Sequence, residues 1–88
     1  MTTNGTATAD DLIEGLRVML AEVSEGKLAA ADIDPGANLF DYGYVDSLSG
    51  VMFLARIEET WGVQIEDFDL VKRFNTIRAV AEFVSANR

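Results

Sequence analysis

The chain has 88 residues, with 15 acidic and 7 basic side chains, a net charge of −8, no cysteine and no histidine. This composition excludes a disulfide framework, a thiolate metal site and a Ser-His-Asp triad within the chain. A field of this sign repels nucleic acid and anionic lipid, so neither is expected as a partner. The length suits one small domain with a thin core and little room for a deep active site.

The N-terminal residues 1 to 8 are mostly small and polar, and we expect them to be flexible, with residues 9 to 88 forming a single domain. They lack the basic and apolar regions of a signal peptide. The longest unbroken apolar run, Val51 to Ala55, is far too short for a membrane span. The expected location is therefore cytoplasmic.

The first predicted helix begins at Asp10 and Asp11, because acidic side chains are favoured at the positive end of a helix. Apolar residues then recur at the three-to-four spacing of an amphipathic helix. These residues are Leu12, Ile13, Leu16, Met19, Leu20 and Val23. Glu14 and Arg17 are spaced to pair on the outer side, and the helix is expected to end near Gly26 in a left-handed cap.

A long loop without a sustained period follows, from Lys27 to Val45. Its Asp34-Pro35-Gly36 segment predicts a turn, because proline presets one backbone angle and glycine tolerates a positive one. The loop also carries apolar side chains, which predict that it packs on the helices. They are Ile33, Leu39, Phe40, Tyr42 and Val45.

The second helix is predicted from Ser47 to Trp61, with Asp46 as N-cap and Gly62 at its end. Its predicted core face consists of Leu48, Val51, Leu54, Ala55 and Ile57. Negative charge is concentrated on this helix and after it, with Arg56 as the one base between positions 41 and 69. The acids in that range are Asp41, Asp46, Glu58, Glu59, Glu66, Asp67 and Asp69.

Two further helices complete the pattern. Residues 70 to 74 predict a short third helix capped by Asp67 or Asp69, and Asn75 or Thr76 is expected to cap a fourth. The inward side of the fourth helix is predicted as Ile77, Val80, Ala81, Phe83 and Val84. The expected fold class is therefore all-α: a small four-helix bundle with a long loop between helices 1 and 2 and a short third helix.

Ser47 lies in the stretch LFDYGYVDSLSG, where the loop gives way to the second helix. No histidine is present to activate it, so a catalytic role is not expected. It is either a plain helix-start serine or the acceptor of a group supplied by another enzyme. A phosphate ester here would be favoured by the helix N-terminus and its unpaired N–H groups. Asp46 either caps the helix or orients the metal of a modifying enzyme.

Several segments accompany Ser47 at fixed spacing. They are Asn38-Leu39-Phe40, Gly43 ahead of Asp46-Ser47-Leu48, Glu58-Glu59-Thr60-Trp61-Gly62 and Asn75-Thr76-Ile77. With these in register, the chain resembles the acyl carrier proteins from Asp11 to Val84. The resemblance implies that Ser47 receives 4'-phosphopantetheine from coenzyme A through a separate magnesium-dependent phosphopantetheinyl transferase. It also implies a non-catalytic carrier with no catalytic residue and no metal site of its own.

The resemblance makes the second helix the surface that partner enzymes recognise. The residues expected to bind partners are Asp46, Leu48, Met52, Arg56, Glu58 and Glu59. For Glu58 and Glu59 a merely solvated face is the alternative, and for Met52 a place in the core. Many fatty-acid carriers have acids after Asp-Ser-Leu, whereas this chain has Ser49-Gly50-Val51-Met52. Gly50 costs the helix up to ~1 kcal/mol relative to alanine.

The phrase LFDYGYVDSL is most similar to the discrete D-alanyl carriers and to free-standing carriers of secondary metabolism, such as those serving lipopeptide synthesis. The absence of long linkers favours a separate polypeptide, expected to be a monomer. The expected cargo is an acyl or aminoacyl thioester, received from an activating ligase and passed to an acyl-accepting enzyme. An acyl chain tucked between the helices would be lined by Phe53, Leu54, Ile57, Phe74 and Ile77, which are also expected to form ordinary core, and the two roles are compatible. The competing interpretation of the whole chain is a helical adaptor that binds basic proteins without an arm.

Overall fold

The computed structural model describes residues 9 to 88, and the segment expected to be flexible, residues 1 to 8, lies outside the described residues. The described part is helical, without strands: α1 (Ala9–Val23), a 3₁₀ turn (Ala30–Asp32), α2 (Ser47–Trp61), α3 (Asp67–Lys72) and α4 (Ile77–Asn87). The predicted small all-α bundle of four helices, with a long first loop and a short third helix, is confirmed. None of these helices is long and apolar enough to cross a membrane.

The core forms mainly between α1 and α4, and α2 packs against α1. The predicted stripe of α1 is inside, with Leu16 and Leu20 fully buried. α4 buries Val80 and Val84 against it. Thr76 is the N-cap of α4, as predicted, because its hydroxyl accepts a hydrogen bond from the Ala79 amide at 3.0 Å.

α2 places a different face in the core from the one predicted. Leu54 and Ile57 are buried as expected, but Leu48 is 71 % exposed, Val51 is 48 % exposed and Ala55 is also exposed. The buried residues of the helix are Gly50, Phe53, Leu54 and Ile57, which recur at helical spacing. The chain therefore has more apolar residues on α2 than its core needs, and the excess faces outward.

The long loop is tied to the second half of the chain by backbone hydrogen bonds. The Leu39 amide donates to the Asn75 carbonyl at 2.8 Å, and the Arg78 amide donates to the Pro35 carbonyl at 2.9 Å. Most of the loop's apolar side chains contact the core as predicted, with Phe40 half-buried. Those fully inside are Ile33, Leu39 and Val45.

Tyr42 is the exception in the loop, and the prediction that it packs on the core is wrong. Its side chain is 65 % exposed, and its ring lies against that of Tyr44 at a centroid distance of 5.8 Å. Tyr44 is the partly buried tyrosine, and its hydroxyl accepts a hydrogen bond from the Asp34 amide at 3.2 Å. One tyrosine therefore closes the loop, while the other covers it from outside.

α3 begins earlier than predicted. Its N-cap position is Glu66, whose side chain makes no capping hydrogen bond, so the predicted cap by Asp67 or Asp69 is wrong. Asp69 lies inside the helix, 3.9 Å from the Arg73 guanidinium. Leu70 is the buried residue of α3. Leu70 is thus the one fully buried side chain of this helix, and most of the remaining surface of α3 is exposed.

Arg17 joins α1 to the 3₁₀ turn. Its Nε donates to the Ala30 carbonyl at 3.0 Å and its Nη2 to the Ala31 carbonyl at 3.1 Å, while Nη1 pairs with Glu14 at 3.3 Å as predicted. A charged donor bonded to a backbone carbonyl contributes more than an exposed ion pair. The guanidinium therefore fixes the start of the loop chiefly through the two carbonyls.

We predict that Arg17→Met, which keeps much of the apolar stem and removes the donors, lowers the free energy of unfolding by about 1–2 kcal/mol. Glu14→Gln removes only the exposed pair, and its effect should stay within about 0.5 kcal/mol. Urea denaturation followed by circular dichroism measures both. Equal losses in the two variants would show that the ion pair, and not the contact with the carbonyls, stabilises this region.

Candidate functional site

Asp46 determines where α2 begins. Its Oδ1 accepts hydrogen bonds from the Leu48 amide at 3.1 Å and the Ser49 amide at 2.9 Å. The Ser49 hydroxyl donates to the same oxygen at 3.1 Å and accepts from the Asp46 amide at 3.0 Å. This reciprocal capping box fixes the first turn of the helix. Of the two roles left open for Asp46, capping is the one visible in the geometry.

Ser47 is the first residue of α2, and its side chain is exposed. Among residues 9 to 88 its hydroxyl has no hydrogen-bond partner, whereas the neighbouring Asp46 carboxylate and Ser49 hydroxyl are both engaged. The Leu48 and Ser49 amides donate hydrogen bonds within the capping box. The expectation that the N–H groups of the first turn are unpaired is therefore wrong for these two. A negative group on Ser47 is favoured by the positive end of the helix dipole instead.

The electrostatics of the cap are visible in the Asp46 carboxyl. Hydrogen bonds from the Ser49 amide and the Ser49 hydroxyl, with a smaller contribution from the Leu48 amide, hold its pKa below the ordinary value. The carboxylate therefore stays charged at neutral pH and remains committed to the helix start. It also places a fixed negative charge next to Ser47.

A shallow cavity of about 250 Å³, which we call the Ser47 groove, opens beside the serine between α2 and α3. The residues that line it are Phe40, Asp46, Ser47, Gly50, Val51, Asp67, Leu70 and Val71. Its walls are thus mostly apolar, and its charged residues are both acidic. Ser47 is the one hydroxyl among them.

The sequence-predicted partner residues do not all share one face of α2. Leu48, Met52 and Glu59 fall on one stripe by the helical period, opposite the buried residues, and all three are exposed. Glu58 is exposed about three turns beyond Ser47, on the edge that faces α3. Met52 therefore does not belong to the core, which was the alternative left open for it.

Arg56 lies on the other edge of α2, toward α1. Its Nη2 is 2.8 Å from Glu22 Oε1, and the pair ties the two helices together at the surface. This contact was not predicted, because it joins residues far apart in the sequence. The positive charge within the acidic stretch is thus partly neutralised by the chain itself.

The residues expected to line an acyl chain form part of the packed core in this structure, which is the ordinary role considered for them. Phe53, Ile57 and Ile77 are fully buried, and Leu54 is nearly so, while Phe74 lies with its ring 4.5 Å from that of Phe83. None of the five lines the Ser47 groove. The space next to the serine is formed by other side chains.

Sequence reasoning missed the contribution of α3 to this surface. Val71 lines the Ser47 groove, and Phe68, on the same short helix, is 69 % exposed beside Val51 and Glu58. The segment Phe68-Asp69-Leu70-Val71 could have indicated this surface, because a helix of six residues can turn only part of its apolar side chains inward.

Across the described part of the chain, no cluster of three or more acidic, histidine or cysteine side chains is placed to hold a metal ion.

We predict that Asp46→Ala lowers the stability of the protein at neutral pH and that the loss disappears in acid. The Asp46 pKa is lower in the folded than in the unfolded chain, so its contribution is complete above the unfolded value of about 4. The contribution is lost as the pH falls through the folded value. Asp46→Ser, whose hydroxyl caps without titrating, should show no such pH dependence; urea melts at several pH values compare the variants. A stability difference between wild type and Asp46→Ala that persists in strong acid contradicts this account.

Comparison with known proteins agrees with this geometry. The family model described as the phosphopantetheine attachment site matches residues 14–84, which is most of the chain. A search among curated proteins finds no match. Members of the matched family carry a covalently attached 4'-phosphopantetheine group. A family model that spans α2 whole, together with most of α1 and α4, covers the fold and not only the motif at Ser47. The chain therefore belongs to the phosphopantetheine-binding acyl carrier proteins.

Proposed function

We propose that Ser47 is the residue that carries 4'-phosphopantetheine. The observation that supports this most strongly is that Ser47 is exposed and its hydroxyl has no hydrogen-bond partner in the described part of the chain, while Asp46 and Ser49 are bound to each other. A modifying enzyme therefore meets one available hydroxyl at the start of α2. The helix dipole favours the negative phosphodiester that results.

The residues around Ser47 fit such a group. The serine opens onto the mostly apolar Ser47 groove, and at Gly50 a side chain is missing from the groove wall. The arm supplies a thiol that holds the cargo as a thioester. The chain's own residues position that arm at the helix start and catalyse nothing. A tethered cargo meets each partner enzyme at a high effective concentration, which is the physical advantage of a carrier.

We propose that α2 is also the docking surface. Leu48 and Met52 offer exposed apolar contacts next to Ser47, with Asp46 at the helix start, and Glu58 and Glu59 offer negative charge further along. Such an arrangement suits partners with an apolar contact area flanked by basic residues, and it raises their association rate. Arg56, held by Glu22, adds one positive charge at the edge and selects against some partners.

The partners that this function requires are a phosphopantetheinyl transferase, an acyl- or aminoacyl-activating ligase and a downstream acyl-accepting enzyme. The segment LFDYGYVDSL resembles the discrete D-alanyl carriers and the free-standing carriers of secondary metabolism. We therefore propose that this carrier serves secondary metabolism, as in lipopeptide synthesis, or a D-alanylation-type pathway. Since the transferase takes the arm from coenzyme A, modification belongs in the cytoplasm. The net charge of −8 disfavours self-association, nucleic acid and anionic membranes, so we propose a monomer.

A second candidate is an adaptor of the same fold that binds basic proteins without an arm. The exposed acids and apolar residues of α2 would serve it equally well. The two candidates differ in a single property, which is whether Ser47 accepts phosphopantetheine. That property is measured directly by mass.

We predict that incubation with coenzyme A, Mg²⁺ and a broad-specificity phosphopantetheinyl transferase adds the mass of one arm to the wild-type protein. Ser47→Ala should gain none. Ser85→Ala, which removes an exposed serine of α4, should gain the arm like the wild type and is the matched control. Intact-mass spectrometry reads all three. A wild type that gains no mass, while an established carrier does in the same reaction, supports the adaptor instead.

We predict that Glu58→Lys combined with Glu59→Lys lowers kcat/KM for loading by the cognate activating ligase by about tenfold at low salt. The deficit should shrink as salt screens the charges. Asp32→Lys with Glu82→Lys makes the same change in net charge outside α2 and should load normally. Circular dichroism verifies the fold of each variant. Normal loading of the α2 variant at low salt rejects the acidic docking surface.

A further inference from the structure

Gly50 has no structural reason to be a glycine. It lies inside α2, where glycine destabilises a helix relative to alanine, and its φ angle is not among the positive ones of this chain. A Cβ built on it would meet Leu70 Cδ2 at 3.7 Å, an ordinary van der Waals distance, and nothing else in the described chain within 4 Å outside its own helix. Both the backbone and the packing would accept alanine.

The missing side chain lies at a specific place. Gly50 is one turn beyond Ser47 and faces Leu70 of α3 across the Ser47 groove. Val51 and Val71, both about half exposed, border the same space, and Phe40 closes it from the loop. A methyl group at position 50 would fill part of the groove floor. The glycine therefore keeps an apolar space open beside the serine at a cost in helix stability.

We propose that Gly50 is a positioning residue: it holds the Ser47 groove open to receive the apolar, dimethyl-bearing segment of the phosphopantetheine arm against Leu70 and Val71. This inference rests on the proposed attachment at Ser47. A group attached to a residue that lines the groove is present there at high effective concentration, so weak apolar contacts are enough to bind it. The arm of this carrier is consequently held along α3 when no partner enzyme is bound. Partner enzymes must draw it out of the groove.

The first test uses the protein without its arm. Gly50→Ala should raise the equilibrium constant for folding by up to about fivefold, because alanine favours the helix and the space accepts a methyl group. Gly15→Ala is the matched control, since Gly15 lies in α1 and an added Cβ there would meet the Trp61 ring at an ordinary 3.8 Å. Urea denaturation compares the two. A Gly50→Ala variant less stable than the wild type would show that the fold itself requires the glycine, and it overturns the proposal.

The second test compares apo and holo protein by methyl NMR. In the wild type and in Gly15→Ala, attachment of the arm should shift the Leu70 and Val71 methyl signals and give nuclear Overhauser contacts between these methyls and those of the arm. In Gly50→Ala the shifts and contacts should weaken, and in Gly50→Leu they should be lost. The methyl signals of α3 are monitored because the amide signals near Ser47 would shift from the charge of the phosphate even without contact between the arm and α3.

The outcomes separate this inference from the attachment itself. Intact mass should show that every variant accepts the arm, since Ser47 is retained. An arm that is present by mass but leaves Leu70 and Val71 unchanged in the wild type removes the inference and leaves the attachment standing. Contacts between the arm and the α3 methyls that persist at wild-type strength in Gly50→Leu would also remove this inference and leave the attachment standing. A wild type that accepts no arm removes both proposals.

Discussion

The carboxylate of Asp46 and the first turn of α2 form the contact on which the rest of the site depends. Four hydrogen bonds between Asp46, Leu48 and Ser49 end the long loop and start the helix at Ser47. The same bonds engage the Asp46 carboxylate and the Ser49 hydroxyl, whereas the Ser47 hydroxyl has no hydrogen-bond partner within residues 9 to 88. An ordinary capping box thus does two things: it fixes the direction of the helix and it singles out one serine at its exposed start. The proposed function needs no catalytic group within the chain for this selection, because a phosphopantetheinyl transferase would supply the reactivity.

The helical period then distributes the remaining functions around α2. One face, with Phe53 and Ile57, is buried and holds the helix to the bundle. The opposite stripe, with Leu48 and Met52, is exposed and apolar, which is costly in water and supports the docking surface that we propose. The edge toward α3 carries the Ser47 groove, and the edge toward α1 is closed by the Arg56–Glu22 pair. A small domain with a thin core tolerates this arrangement because only one side of the helix is used for stability.

The sequence was sufficient where local chemistry decides the structure. Asp46, Thr76 and Gly62 act as helix boundaries through side-chain caps or a left-handed backbone; Asp46 and Gly62 were predicted from residue type and position, and Thr76 as one of two candidates with Asn75. It was insufficient where two faces of a helix are both apolar. The spacing of Leu48 and Val51 is as regular as that of Phe53 and Ile57, and only the tertiary packing decides which pair is buried.

The parts that the sequence did not predict depend on residues far apart in the chain. The pairing of Arg56 with Glu22 follows from the packing of α2 on α1. The Ser47 groove follows from the position of α3, whose start was misplaced because Glu66 precedes it without a side-chain cap. The sequence identifies Gly50 as an unfavourable residue within a helix. Its position opposite Leu70 could not be predicted without the three-dimensional structure.

We propose that the capping box reserves Ser47, and not Ser49, for the prosthetic arm. The most direct measurement is fragmentation mass spectrometry of the modified wild-type peptide that contains both serines. We predict that every fragment carrying the arm includes Ser47 and that Ser49 is unmodified. An arm found on Ser49, or distributed between the two, would contradict it.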